Sequence, residues 1–213
     1  MSLKEKTING IFWSFIDNFA NLGIQFIVGI ILARILEPRE FGLVGMLTIF
    51  IAISQVFIDS GFSNALIRKQ DCSQSDYSTV FFFNLVISII IYIILFFCAK
   101  NIALFFEEPQ LKSLLQVLGI GLIVSSLAII QRTILTKNID FKLQTKVSLL
   151  SSIGSGAIAI IMACKGYGVW SLISLTLSRS IFTTYFFWLW HKWIPKLVFS
   201  QQSFRDLFGF GSK

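Results

Sequence analysis

The chain has 213 residues, 55% of them hydrophobic and only 14% charged, with a mean hydropathy of +0.78. That charge share lies well below the roughly 25% of soluble domains, and no hydrophilic stretch approaches the 50 or so residues of a soluble catalytic domain. The net charge of +7 sits in short connections between apolar runs, so it reports membrane topology and speaks against nucleic acid as a partner.

A bilayer hydrocarbon core of about 30 Å takes around 20 apolar residues per helix. Six segments meet that length: 9–33, 42–66, 79–99, 111–131, 147–164 and 168–190. The expected fold class is therefore an all-α integral membrane bundle of six transmembrane helices. Residues 1–190 form the membrane lobe and 191–205 a cytoplasmic linker. Residues 206–213, FGFGSK being the last of them, read as the first turns of a further helix, which implies one part of a longer protein. The first apolar run exceeds the length of a secretory leader and lacks a small-residue cleavage site, so it is expected to be retained.

In the first span, Ser14, Asp17, Asn18, Asn21 and Gln25 recur at helical spacing, while Phe12, Phe15, Phe19, Leu22 and Phe26 cover the rest of the surface. An aspartate near a helix centre costs about 2.5–3.5 kcal/mol on the insertion scale, and each Leu, Ile, Phe or Val returns only about 0.3–0.6. Such a stripe is expected to face protein or water, and ionisable groups at this depth mark a pathway or site.

In the second span, Asp59 precedes Gly61 closely. Two readings stand: a broken helix end whose freed backbone is satisfied by Asp59, Ser60, Ser63 and Asn64, or a gate with a substrate role. Gly119, Gly121 and Ser125 in the fourth span, and Ser152, Gly154, Ser155 and Gly156 in the fifth, read as small-residue packing faces. Between these spans, IDFK at 139–142 reads as an amphipathic segment lying on the membrane surface. In GYGVW, Gly166 and Gly168 allow a tight reversal and Trp170 an interfacial anchor.

In the sixth span, Arg179 lies at a depth resembling that of Asp17, with Thr176, Ser180 and Thr183 on its face. The pair reads either as a buried Asp17–Arg179 ion pair that fixes helix packing or as the lining of a water-filled cavity, where a guanidinium fork suits phosphate oxygens. Trp188, Trp190 and Trp193 form an aromatic belt at the exit, and His191 among them reads as an anchor. Cys72, Cys98 and Cys164 form no CxxC, and no metal-ligand cluster, ATP-binding loop or nucleophile elbow is present, so no catalytic residue or cofactor is expected.

Orientation follows from the bias of Lys and Arg between alternate sides. The N-tail side holds Lys4, Lys6, Arg68, Lys69, Arg132, Lys137, Lys142, Lys146, Lys192, Lys196 and Arg205. The other side holds only Arg34, Arg39, Lys100, Lys112 and Lys165, which places the N-terminus in the cytoplasm.

The turns LARILEPREFGLVGM (32–46), DSGFSNALIRK (59–69), STVFFFNL (78–85), LFFEEPQLKSLL (104–115), QRTILTKNIDFK (131–142), GYGVWSL (166–172) and the final FRDLFGFGSK occur in this order. Together they resemble bacterial polysaccharide-unit flippases, export proteins of the Wzx type within the multidrug/oligosaccharidyl-lipid/polysaccharide exporter superfamily. The resemblance implies a two-lobe inner-membrane transporter, of which this chain supplies the N-terminal lobe. A missing C-terminal lobe or a second copy would close the cavity. The implied cargo is an undecaprenyl-diphosphate-linked oligosaccharide moved to the periplasmic leaflet for O-antigen, exopolysaccharide or capsule synthesis, with an H+ or Na+ gradient as drive and no enzymatic step.

On residue chemistry, Asp17, Asn18, Asn21, Gln25, Thr176 and Thr183 suit sugar hydroxyls, Arg179 suits a diphosphate, and Asp17 is also the candidate for ion coupling. A cation-coupled drug exporter of the same superfamily is the nearest alternative, disfavoured by Arg179. A membrane enzyme acting on lipid-linked sugars is the second, and it would need paired carboxylates.

Overall fold

The computed structural model describes residues 8–201 and 203–205 in full and the backbone of residues 3–7. All regular structure among them is helical: α1 (Leu3–Ile35), α2 (Pro38–Asp59), α3 (Phe62–Arg68), α4 (Gln74–Phe105), α5 (Gln110–Lys137), α6 (Phe141–Cys164) and α7 (Val169–Trp190). The expected helix start at 206–213 lies outside the described residues.

Five helices (α1, α2, α4, α5 and α6) are long and apolar enough to cross a membrane by length and composition. The expected sixth, α7, has the length at 22 residues but falls short in hydropathy, because Arg179 and a series of serines and threonines dilute it. The expected second span, 42–66, is not one helix. Ser60 and Gly61 take left-handed φ values of 44° and 75°, which stop α2 and start α3 in a new direction. A glycine accepts that conformation at no steric cost. Its side chains close the break: Ser63 Oγ donates to Asp59 Oδ1 at 2.5 Å, and Ser60 Oγ donates to the Phe57 carbonyl. Lys137 of α5 reaches the far end of α3 and donates to the Leu66 carbonyl at 3.2 Å and to that of Lys69. A cation there satisfies carbonyls that have no partner within the helix.

Long helices begin or end on dedicated groups. Pro38 opens α2 beside a Glu37–Glu40 capping box, and Ser73 caps α4 in a box with Asp76. Asp76 is further held by Lys69 at 2.9 Å. The 132–146 connection shrinks to Asn138–Asp140, because α5 and α6 run on beyond their apolar cores. IDFK is therefore the short turn into α6 and not a separate amphipathic segment. Ile139 and Phe141 pack on α1, where a Cβ at Gly10 would meet them at 2.8 and 3.0 Å. The reversal at Gly166 and Gly168 uses φ values of 78° and 56°.

The helices pack as a chain of neighbours: α4 on α5, α5 on α7, α7 on α6 and α6 on α1, with α2 laid across α4, α5 and α7. α1 and α6 run parallel, since Trp13 meets Thr145, Asn21 meets Ser148 and Ser152, and Val28 meets Gly156. α5 and α7 also run parallel, through Ser125–Ser180, Thr184 to the Val124 carbonyl and Trp188 to the Leu127 carbonyl. Small residues permit these approaches. Phe12, Phe15, Phe19, Leu22 and Phe26 of α1 stand outward, each at least 59% exposed, as lipid-facing side chains do.

Past α7 the chain folds back over the start of α4. Trp193 Nε1 donates to Gln74 Oε1 at 2.8 Å, Gln74 Nε2 to the Ile194 carbonyl at 2.8 Å, and the Lys196 and Ser200 amides to Ser78 and Thr79 hydroxyls. Phe204 ends this strap among Phe62, Phe83 and Phe199.

Candidate functional site: a polar cavity between α1, α5, α6 and α7

The stripe of α1 turns inward on one residue. Asn21 is 8% exposed, and its Nδ2 lies 2.6 Å from Asp17 Oδ1, 2.7 Å from Ser148 Oγ and 2.9 Å from the Asp17 carbonyl. Its Oδ1 accepts from Ser152 Oγ at 2.5 Å and from an Arg179 Nη at 3.3 Å. A single amide thus ties α1 to α6 and α7.

A direct Asp17–Arg179 ion pair does not form. The ion pairs among the described residues are Arg39–Glu108 and Lys69–Asp76. The reason is the amide between them: Asn21 turns its N–H toward the carboxylate and its carbonyl toward the guanidinium. Each charge keeps a hydrogen bond without the full desolvation of a contact pair.

Around this bridge lies a cavity of about 130 Å³ bordered by Asp17, Arg132, Gln144, Val147, Ser148, Arg179, Thr183 and Phe187. Two further spaces adjoin it through shared residues. Arg179 also borders a largely apolar space of about 330 Å³, with Gln25, Thr176, Ser152, Leu172 and Leu175. Arg132 also borders a space of about 560 Å³ at the α2–α3 break, with Gln55, Asp59, Ser63, Asn64 and Thr133. Arg179 is shared by the polar cavity and the apolar space, and Arg132 by the polar cavity and the space at the break.

Of the residues singled out in the sequence, Asp17, Asn21, Arg179 and Thr183 meet at the polar cavity or its bridge, Gln25 and Thr176 lie in the apolar space, and Asp59 lies at the break. Asn18 belongs to none of these. It is exposed and its Nδ2 returns to the Ser14 carbonyl of its own helix at 3.0 Å.

Four contributors were missed: Arg132, Gln144, Ser148 and Ser152. Ser152 does more than allow close packing, since its hydroxyl holds Asn21. The signal was present as a second stripe, Gln144, Ser148, Ser152 and Ser155, at the same i, i+4 and i+3 spacing used for α1. Among the described residues, no three His, Cys, Asp or Glu side chains come together as a metal site. The arrangement offers hydrogen-bond donors in quantity, two cations and one carboxylate, which is binding chemistry.

Comparison with known proteins adds a lineage. The family described as polysaccharide biosynthesis protein matches residues 31–213. The chain is 25% identical over 213 residues to the succinoglycan biosynthesis transport protein ExoT of Rhizobium meliloti, covering 99% of this chain and 43% of that protein. It is 28% identical over 218 aligned residues to the teichuronic acid biosynthesis protein TuaB of Bacillus subtilis, covering 99% and 44%. It is 28% identical over 141 residues to the lipopolysaccharide biosynthesis protein WzxC of Escherichia coli, covering 66% and 29%. The chain therefore spans less than half the length of these relatives. No solved structure matches it.

Proposed function

The chain belongs to the polysaccharide biosynthesis protein family, and from that premise we propose that it forms one lobe of a membrane flippase for a lipid-diphosphate-linked oligosaccharide. The observation that carries this reading is the meeting of Arg132 and Arg179 at one polar cavity rich in amides and hydroxyls. A guanidinium presents paired N–H donors that match phosphate oxygens, and a diphosphate engages two of them. Asp17, Asn21, Gln25, Thr176 and Thr183 offer the mixed donors and acceptors that sugar hydroxyls require. The polyprenyl tail needs no site, because it stays in lipid while the polar head crosses.

A second lobe closes the cavity, supplied by the same polypeptide or by a second copy, and the two rock between inward-facing and outward-facing states around the fixed head group. The basic end of the bundle faces the cytoplasm of the inner membrane. Asp17 is the group whose protonation or sodium binding couples a gradient to that cycle, since it borders the cavity and is tied to Arg179 only through Asn21. The pair of arginines disfavours a cavity for cationic drugs, and the name of one relative, a biosynthesis transport protein, favours carriage over chemistry.

The test is export. In a host lacking its own exporter, Arg132→Gln and Arg179→Gln are each expected to lower surface polysaccharide at least tenfold with membrane levels unchanged. Unchanged export with both arginines replaced would remove the diphosphate role from this cavity.

A further inference from the structure

The opposite face of α6 carries a basic feature that the cavity does not use. Trp13, Asp140, Lys142, Leu143, Thr145, Lys146 and Leu149 border a trough of about 500 Å³. The cavity takes Gln144, Val147 and Ser148 from the same helix. At about 100° per residue, the trough's α6 positions project to the other side, away from the cavity and toward the outside of the lobe.

Two cations and the Trp13 ring line the trough, and Trp190 of α7 flanks Lys146 from outside it. Lys142 Nζ lies 5.7 Å from the centroid of the Trp13 ring, and Lys146 Nζ lies 3.9 Å over that of Trp190. Both lysines are exposed, and they stand one turn apart, where Cβ atoms are about 5–6 Å from each other. The backbone beneath them is already satisfied: Thr145 Oγ1 donates to the Trp13 carbonyl at 3.0 Å and the Phe141 carbonyl at 2.8 Å. Asp140 is engaged as the cap of α6, accepting from the Leu143 amide at 3.2 Å. Among the described residues, neither ammonium group has a carboxylate partner within ion-pair distance.

Depth identifies the partner. α1 and α6 begin, and α7 ends, at this end of the bundle, so Trp13 and Trp190 stand at the level of an interfacial aromatic belt. We propose that the trough binds an anionic phospholipid of that leaflet, with its phosphate between Lys142 and Lys146 and an acyl chain along Leu143, Leu149 and the Trp13 ring. A phosphatidylcholine would supply the same chain, but its own quaternary amine already neutralises its phosphate. Charge complementarity therefore selects the anionic lipid. This inference goes beyond the transport reading and does not depend on the cargo.

Intrinsic tryptophan fluorescence reads occupancy directly. The purified full-length protein is reconstituted into dioleoylphosphatidylcholine vesicles carrying rising fractions of brominated phosphatidylglycerol, and separately of brominated phosphatidylcholine. A basic side chain near an anionic surface is worth about fivefold in affinity. Quenching is thus expected at brominated phosphatidylglycerol fractions roughly tenfold or more below those needed with brominated phosphatidylcholine. Lys142→Gln with Lys146→Gln is expected to abolish the difference, and the Lys→Arg pair to retain it.

Equal quenching by the two lipids, or a preference that survives the double glutamine variant, overturns the proposal. So does loss of the preference on adding millimolar inorganic diphosphate, which would make a free anion the ligand. Arg132→Gln and Arg179→Gln are expected to leave the lipid preference intact. Failure of the flippase reading and failure of this one are thereby distinguishable.

Discussion

Asp17 and Arg179 share one intermediary: Asn21 donates to the aspartate at 2.6 Å and accepts from the arginine at 3.3 Å. The charge balance of the cavity depends on a neutral side chain.

Asn21→Leu keeps the branched shape and removes the hydrogen bonds, leaving Asp17, Ser148, Ser152 and Arg179 each short of a partner. Leaving buried polar groups unsatisfied costs about 1–3 kcal/mol. The thermal midpoint in detergent is expected to fall by several degrees. Asn18→Leu, three residues earlier on the same helix but exposed, is expected to leave it unchanged. Equal effects of the two would refute the bridging role.

Close packing of α1 on α6 rests on Gly156, where a Cβ would stand 2.7 Å from Val28 Cγ2. Overpacking of this kind costs about 1–3 kcal/mol. Gly156→Ala should destabilise accordingly, and Val28→Ala should restore part of the loss in the double variant. Gly121→Ala, whose nearest neighbour is 3.6 Å away, should be close to neutral in the same melting assay.

At the α2–α3 break, Gly61 holds φ 75°. Gly61→Ala places a Cβ in the left-handed region at a cost of about 1–2 kcal/mol. Ser60→Gly, at φ 44°, relieves the same strain and should stabilise or leave stability unchanged. If Gly61→Ala melts at the wild-type temperature, the break is not strained and α3 is free to realign with α2.

Burial holds the His191 imidazole below its ordinary value of 6.5, with the Asp140 carboxylate opposing that effect more weakly. The folded state then binds fewer protons than the unfolded state just below that value, so stability is retained above pH 6.5 and is lost as pH falls below it. Thermal midpoints measured between about pH 5 and 7.5 should rise with pH, and His191→Gln should flatten the slope.

The inward turn of α1 was legible because a polar stripe at helical spacing has one physical meaning in an apolar helix, and Arg179 was legible because a charge at mid-span cannot be accidental. Arg132 was not, because a hydropathy scan ends a span at its first charge. Helical hydrogen bonding does not end there, and α5 continues to Lys137 with Arg132 a full turn inside. Asn18 was drawn into the stripe by its spacing from Ser14, although it stands about 100° around the helix from Asp17. The Asp17–Arg179 relation was set by which of two near neighbours reached α7 first, and periodicity carries no information on that. The break at Ser60 was signalled by Gly61 but outweighed by the length of the apolar run.

The pairing of α1 with α6 sets a clock on assembly. Asn21 and Ser148 are separated by 127 positions, and translation adds about 5–20 residues per second. For roughly 6–25 seconds the first helix holds an aspartate and an amide in the insertion machinery or the bilayer before its partner has been synthesised. Among the helices of this lobe, the first to emerge is thus among the last to find its seat, and its early lifetime is the interval in which an insertion chaperone has most to do.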